Sequence, residues 1–276
     1  MVVLVTGSGG YIAEGVIAEL VNRGHQVIAL GQTPLAVQDD AVNEVIGDIF
    51  ELDFSTLSVK PDALLHLAWR DGFNHKALSH LEDLPKHHEF IAKALDAGID
   101  HVAIMGSMHE VGYWEGAIDE KTPCNPTTPY GVAKNALRQL SFGLCEQAGA
   151  CFQWLRGFYL SSADGRGDSI FSKIVAAANA GDENFPFTSG LPQYDFLSYE
   201  EFCAQVASVV TQTEVSGIIN ICSGEPVALK DYVEGFIEEN GFEIRLEYGK
   251  YPDRPYDSPA IWGDNTKIKR ILENAG

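Results

Sequence analysis

Two groups of residues in this chain of 276 carry side chains that can move protons. The first is the stretch "MGSMHEVGYWEG", Met105 to Gly116. There an apolar run, "VAIM", gives way at once to a hydroxyl (Ser107), an imidazole (His109) and a carboxylate (Glu110). The second is "TTPYGVAKNALRQL", in which Tyr130 and Lys134 stand four apart. On a helix that spacing puts phenol and ammonium on one face. The segment opens as a helix should, with Thr128 as cap and Pro129 in the first turn. An unperturbed tyrosine titrates near ~10, and a neighbouring ammonium favours the phenolate and lowers that value. A shift of roughly 3 units, worth about 4 kcal/mol, would make Tyr130 a usable acid or base near neutrality. Taken alone, a Tyr and a Lys that share a helix face are commonplace, and a polar loop also contains Ser, His and Glu.

The N-terminus supplies a reason to read the pair as chemistry. "VTGSGGYIAEG" places Gly7 and Gly10 after an apolar strand and before a helical pattern, with Ala13 third. This is the dinucleotide fingerprint: Gly7 for the sharp turn, Gly10 for close approach of a pyrophosphate to a helix N-terminus, Ala13 for tight strand–helix packing. The second strand ends "VIALGQTP", so Gly31 and Gln32 stand where an acidic residue would hold an NAD ribose. No Arg stands nearby for the 2′-phosphate of NADP, and the residues leave NAD and NADP both open.

Such groups need a scaffold. Strand-like runs lie at 2–6, 26–30, 44–48, 63–68, 101–107 and 151–158, and helix-like stretches at 11–23, 85–97 and 129–148. Apolar runs alternating with amphipathic ones predict a Rossmann-type, doubly wound α/β fold with a parallel sheet covered on both faces. After about residue 159 the rhythm breaks into loops rich in Gly, Asp and Pro, and helical patterns return at 198–212 and 229–240. We expect residues 1–160, with 195–222 returning to them, to form a dinucleotide-binding domain. Residues 161–194 and 223–276 would form a small C-terminal substrate lobe. A ligand would sit between the two, at the carboxyl ends of the strands.

Composition narrows the function. A formal net charge of −20 argues against a nucleic-acid partner, because neutralising phosphates needs clustered Lys and Arg. No run approaches the roughly 18 apolar residues of a membrane helix, and "MVVLVTG" lacks the basic start of a signal peptide. A cytoplasmic chain with no membrane partner is expected. Five scattered cysteines, Cys124, Cys145, Cys151, Cys203 and Cys222, imply reduced thiols. His75, His80, His87 and His88 match no metal spacing and read as a solvated helix face, so no metal is expected.

Together these residues resemble the extended short-chain dehydrogenase/reductase family, in its NAD-dependent epimerase/dehydratase branch. "TGSGGYIA" is similar to its glycine motif, "GDI" (47–49) to its adenine-side pair, "LLHLAW" (64–69) to the strand that flanks the cofactor, and "YGVAK" to its Tyr-x-x-x-Lys. "WLRGFYLSSADGRG" resembles the lead into the substrate lobe. "YDFLSYEEF" resembles a segment in which Arg is usual where Tyr194 stands. "INICSGEPVALKDYVE" and "YDSPAIWGDNTKIKRIL" resemble the C-terminal segments. The resemblance implies NAD or NADP held by Gly7, Gly10, Tyr11, Ile12, Asp48, Ile49, Leu67, Ala68, Trp69, Tyr130 and Lys134. It implies a nucleotide-sugar substrate met by Ser107, Met108, His109, Arg166 and Tyr194. It also implies catalysis by Ser107, Tyr130 and Lys134, and a homodimer formed through 85–97 and 129–148. Arg166 suits the substrate diphosphate, or else pairs with Asp164 or Asp168 in its own loop.

Within that family a dehydratase carries further acid–base groups in the loop that here reads Ser107-Met108-His109-Glu110. The "GSMHEVGYWEG" form resembles reductases of dTDP-4-keto-6-deoxyhexoses. A nucleotide-sugar 4-epimerase is the alternative, and a dinucleotide sensor without turnover is a third reading, disfavoured by the Tyr–Lys pair. Counting forward from the strand gives the hydroxyl role to Ser107; counting back from Glu110 gives it to Met108, whose thioether cannot donate a hydrogen bond. His109 and Glu110 are expected to serve specificity and loop order.

Overall fold

Strand β1 (Val2–Thr6) is buried at every position after the first. A strand with no polar face must be covered on both sides. The computed structural model, which describes residues 1–36, 39–252 and 258–275, shows how. The chain continues through α1 (Tyr11–Asn22), β2 (Gln26–Gly31), β3 (Val42–Ile46), β4 (Ala63–His66), α2 (Ser79–Asp96), β5 (His101–Ser107), β6 (Gly116–Ile118), α3 (Pro129–Ala148) and β7 (Cys151–Gly157). Then come β8 (Tyr159–Ser161), α4 (Ile170–Ala180), β9 (Asn184–Pro186), β10 (Gln193–Ser198), α5 (Tyr199–Val210), β11 (Gly217–Ile221), β12 (Pro226–Ala228), α6 (Leu229–Glu239), β13 (Arg245–Glu247), β14 (Ala260–Gly263) and α7 (Thr266–Ala275).

The central sheet has seven strands in the order β11-β7-β5-β4-β1-β2-β3, and every pairing is parallel. Successive side chains go to opposite faces. Val3 and Val5 pack with Ala13, Val16 and Leu20 of α1 and Val206 of α5, while Leu4 and Ile28 pack with Phe90 and Ile91 of α2 and Leu137 of α3. This is the doubly wound α/β fold. The strand order reverses beside β1, so the crevice for a ligand opens between the carboxyl ends of β1 and β4.

A second sheet, β12-β10-β14-β6, stands beyond, with β8 paired to β10. Of the stretch 195–222, α5 packs on α1 and β11 extends the central sheet beside β7, whereas residues 195–198 belong to β10 of the second sheet. β6, inside the stretch expected to bind dinucleotide, pairs with β14 of the second sheet instead.

Helix α2 corrects the expected start at residue 85: it begins at Ser79 and takes Pro85 into its interior. Pro85 and Leu81, whose carbonyl loses its partner, both lie on the exposed side, where solvent replaces the missing bond. No helix among the described residues is long and apolar enough to cross a membrane. Tyr256 and Asp257, which open the last family-like segment, lie outside the described residues.

Candidate active site

Gly7 ends β1 with φ +72°, and a Cβ there would stand 2.8 Å from the Ala68 Cα after β4. Only glycine lets the two chain segments approach so closely. Gly7 and Ser8 donate their N–H groups to the Leu30 carbonyl, and Gly10 donates to Gly7. Helix α1 then starts at Tyr11 with Gly10 as N-cap and no side-chain cap. Its first amides are therefore left for another acceptor. Asp48 folds its carboxylate onto Phe50 N at 3.0 Å, Ile49 is buried, and Ala68 N donates to Thr6 Oγ1 at 3.3 Å. Leu67 is packed against the core. These residues share the carboxyl-end edge of the sheet, and the cradle fits a dinucleotide.

Helix α3 brings the proton chemistry to the same edge. Thr128 caps it, accepting from Gly131 N at 3.2 Å. Lys134 Nζ donates to the Met105 carbonyl at 2.8 Å and lies 3.8 Å from the Trp69 ring centre. The Tyr130 ring stacks on His75 at 4.7 Å and 7°, and meets Trp69 and His80 edge-on. Ser107, at the end of β5, accepts from His109 N at 3.3 Å, and its hydroxyl lies near enough to the Tyr130 phenol to ease its ionisation. Of the two ways to count the loop, the geometry brings Ser107 to the phenol. Met108, expected at the substrate, is 6% exposed and packs with the core, because the short helical turn 108–110 rolls it under.

Burial pushes the Tyr130 phenol up to about 12; the Ser107 hydroxyl opposes this and the Glu110 carboxylate adds to it. This reverses the expected depression. The Lys134 ammonium sits against Trp69 and a carbonyl, 5.9 Å from the phenol ring centre, and does not outweigh desolvation. Burial likewise pulls Lys134 down to about 7, against the pull of Glu110. Below that pH the amine is charged in both folded and unfolded chain, and the full cost of burying the charge weighs against folding. As pH rises from about 7 towards the unfolded value near ~10.4, the folded chain sheds the proton first and the cost fades. Lys134→Met should therefore stabilise the fold most at about pH 6 and least at about pH 10, read by urea unfolding. A gain that grew with pH would contradict this placement of the charge.

Glu110 makes no contact with the phenol. It is fully buried; Oε1 accepts from Arg156 Nε at 2.8 Å and Oε2 from Trp154 Nε1 at 2.6 Å. Arg156, also fully buried on β7, uses Nη1 on the Asp119 carbonyl at 2.9 Å. The pair anchors the Ser107 loop to the sheet. Nothing local marks Arg156; a lone Arg in an apolar strand is the one signal that could have found it.

The histidines also differ from expectation. His80 and His87 are buried rather than solvated, because α2 turns them towards β4. His80 accepts from Trp69 Nε1 at 3.0 Å, and His87 bonds His66 at 2.9 Å. Burial holds His87 down at about 3 and His66 well below the usual range, so this pair stays neutral. His109, 4.4 Å from His75 ring to ring, is likewise held at about 4 by burial and then by His75. Nothing in the sequence marks His75 as a neighbour of Tyr130. Among the described residues no cluster of His, Cys, Asp and Glu could hold a metal.

Arg166 and Tyr194 have partners of their own. Arg166 forks onto Asp164 at 2.7 Å and onto Glu14 of α1, and lies 4.8 Å from the Tyr11 ring. Carboxylates on both sides take up the guanidinium expected at a diphosphate. Tyr194 is 8% exposed, its ring 4.9 Å from that of Tyr159, because this position of β10 faces the core.

A model of the NAD dependent epimerase/dehydratase family matches residues 3–222. A dTDP-6-deoxy-L-talose 4-dehydrogenase (NAD(+)) from Aggregatibacter actinomycetemcomitans is 42% identical over 270 residues, 95% of this chain and 99% of its own. A UDP-glucose 4-epimerase from Halalkalibacterium halodurans is 29% identical, covering 99% of this chain and 90% of its own. Among solved structures, a UDP-N-acetylglucosamine 4-epimerase from Methanobrevibacter ruminantium M1 in complex with UDP-N-acetylmuramic acid superimposes with a TM-score of 0.83 at 17% identity, over 98% of this chain and 91% of its own.

Proposed function

Because the chain belongs to the NAD-dependent epimerase/dehydratase family, we propose that it reduces the 4-keto group of a nucleotide-linked 4-keto-6-deoxyhexose, with a dTDP sugar as the first choice and NAD as cofactor. The observation that carries this reading is the Ser107–Tyr130 hydroxyl pair, with the phenol held protonated. Reducing a ketone requires a proton donor at the carbonyl oxygen. Tyr130 gives that proton, and Ser107 holds the same oxygen. Lys134, tied to the Met105 carbonyl by one proton, keeps two more for the cofactor ribose. Gly7, Gly10, Tyr11 and Ile12 receive the pyrophosphate, and the rings of His75, His109 and Trp69 surround that of Tyr130. The bound dinucleotide supplies the hydride.

Oxidising a 4-hydroxyl and reducing a 4-ketone are one hydride transfer in two directions, so the name of the 42%-identical relative supports the carbon. A protonated Tyr130 favours reduction. Glu110, spent on Arg156, is not free for the elimination a dehydratase performs. Helices α2 and α3 pack on each other and leave Leu81, Val132, Leu140 and Phe142 exposed, which supports a homodimer through this pair.

The test is a panel of dTDP- and UDP-linked 4-keto-6-deoxyhexoses with NADH, followed by loss of the cofactor absorbance. One equivalent of NADH should be consumed per sugar reduced. Interconversion of two nucleotide sugars without added cofactor, and no NADH loss with any keto-sugar, would replace this reading with the 4-epimerase.

A further inference from the structure

Helix α1 carries an interior glycine, Gly15, which the fingerprint does not require. Glycine inside a helix gives up roughly 0.5–1 kcal/mol against alanine, so a close approach is expected there. The structure shows one. A Cβ at Gly15 would stand 2.6 Å from both Tyr199 Oη and Cys203 Sγ of α5. The Tyr199 hydroxyl accepts from Gly15 N at 3.0 Å and donates to the Tyr11 carbonyl at 2.6 Å. Residues 11 and 15 are the two partners of one rung of the α1 ladder, so the hydroxyl engages both ends of that rung. The Tyr199 ring also lies against that of Tyr11, with centres 4.6 Å apart.

We infer that Tyr199 is a positioning residue for the dinucleotide: its hydroxyl splints the first turn of α1 and so aims the amides that receive the pyrophosphate. The inference rests on the dinucleotide reading of the glycine turn. The Tyr11 carbonyl and the Ile12 N–H belong to one planar peptide and point in opposite directions. A bond that fixes the carbonyl therefore fixes the amide that faces out of the helix N-terminus, where the partial positive charge of the helix gathers. Helix α5 is a firm support for this contact. It starts with a full capping box at Ser198 and Glu201, and it holds the far end of α1 through Arg23 Nη1 on Ser208 Oγ at 2.7 Å. Tyr199 follows β10 directly, so its hydroxyl ties the second sheet to the cofactor cradle.

Tyr199→Phe removes the hydroxyl and keeps the ring. The loss of one hydrogen bond's worth of preorganisation should raise the Kd and KM for NADH about 3- to 10-fold, with kcat at saturating NADH within about twofold of wild type. Gly15→Ala should do the same, because its methyl displaces the hydroxyl. Both changes remove the same splint, so in the double variant the two losses should fall well short of multiplying, although Cys203 Sγ and the ring Cζ still crowd the methyl. Exchange of the Gly15 amide with solvent, read without cofactor, should quicken in Tyr199→Phe. Equal NADH affinity in wild type and Tyr199→Phe, or losses that multiply fully, would overturn the inference. Should wild type bind no nicotinamide dinucleotide at all, the dinucleotide reading itself fails, and a quickened Gly15 exchange would show the splint to be a structural contact only.

Discussion

Tyr130→Phe should lower turnover by ~10²–10⁴, the range for a lost general acid. The ring stays, so its stacking on His75 and its edge contacts with Trp69 and His80 persist and folding is preserved. NADH affinity should hold, because the glycine turn and α1 are untouched. The loss should fall on kcat and kcat/KM together, the mark of an interaction made in the transition state. Ser107→Ala should act in the same direction with a smaller loss, since it removes a hydrogen bond to the reacting oxygen and leaves the donor in place. A Phe variant that turns over like wild type would remove the phenol from the mechanism. Met108→Ala, by contrast, should cost stability and little rate, because Met108 packs in the core.

Glu110→Gln should destabilise the fold by about 3–5 kcal/mol, the cost of leaving one half of a buried ion pair without its partner. Glutamine keeps the size of the side chain and removes its charge, so the fully buried Arg156 guanidinium loses its counter-charge, and Arg138, 3.7 Å from Glu110 Oε1, loses the same partner. Urea unfolding at neutral pH measures the loss. Removing both charges with Glu110→Met and Arg156→Met should recover much of it, since an apolar pair of similar volume often replaces a buried ion pair without penalty. A single-variant loss below about 1 kcal/mol would mean that water reaches Arg156. Activity should fall with Glu110→Gln as well, because the anchor holds Ser107 to the phenol.

The amino-acid sequence by itself determined the α/β fold, the glycine turn and the α3 start. Each is written in neighbouring residues: four unbroken apolar positions for β1, Gly7 and Gly10 within four residues for the turn, Thr128-Pro129 for the cap. Family resemblance added Ser107, Tyr130 and Lys134, which the structure brings together in one place. The tertiary structure alone decided who neutralises whom. Glu110 meets Arg156 across 46 residues, Arg166 meets Glu14 across 152, and Tyr199 reaches Gly15 across 184. It also decided that His80 and His87 face inward and that Tyr130 is desolvated more strongly than Lys134 can offset. The reason is physical. Helix and turn signals act over a few residues along the chain, whereas burial, charge pairing and the pKa they set depend on distances through space, and those exist only once the sheet has brought remote segments side by side.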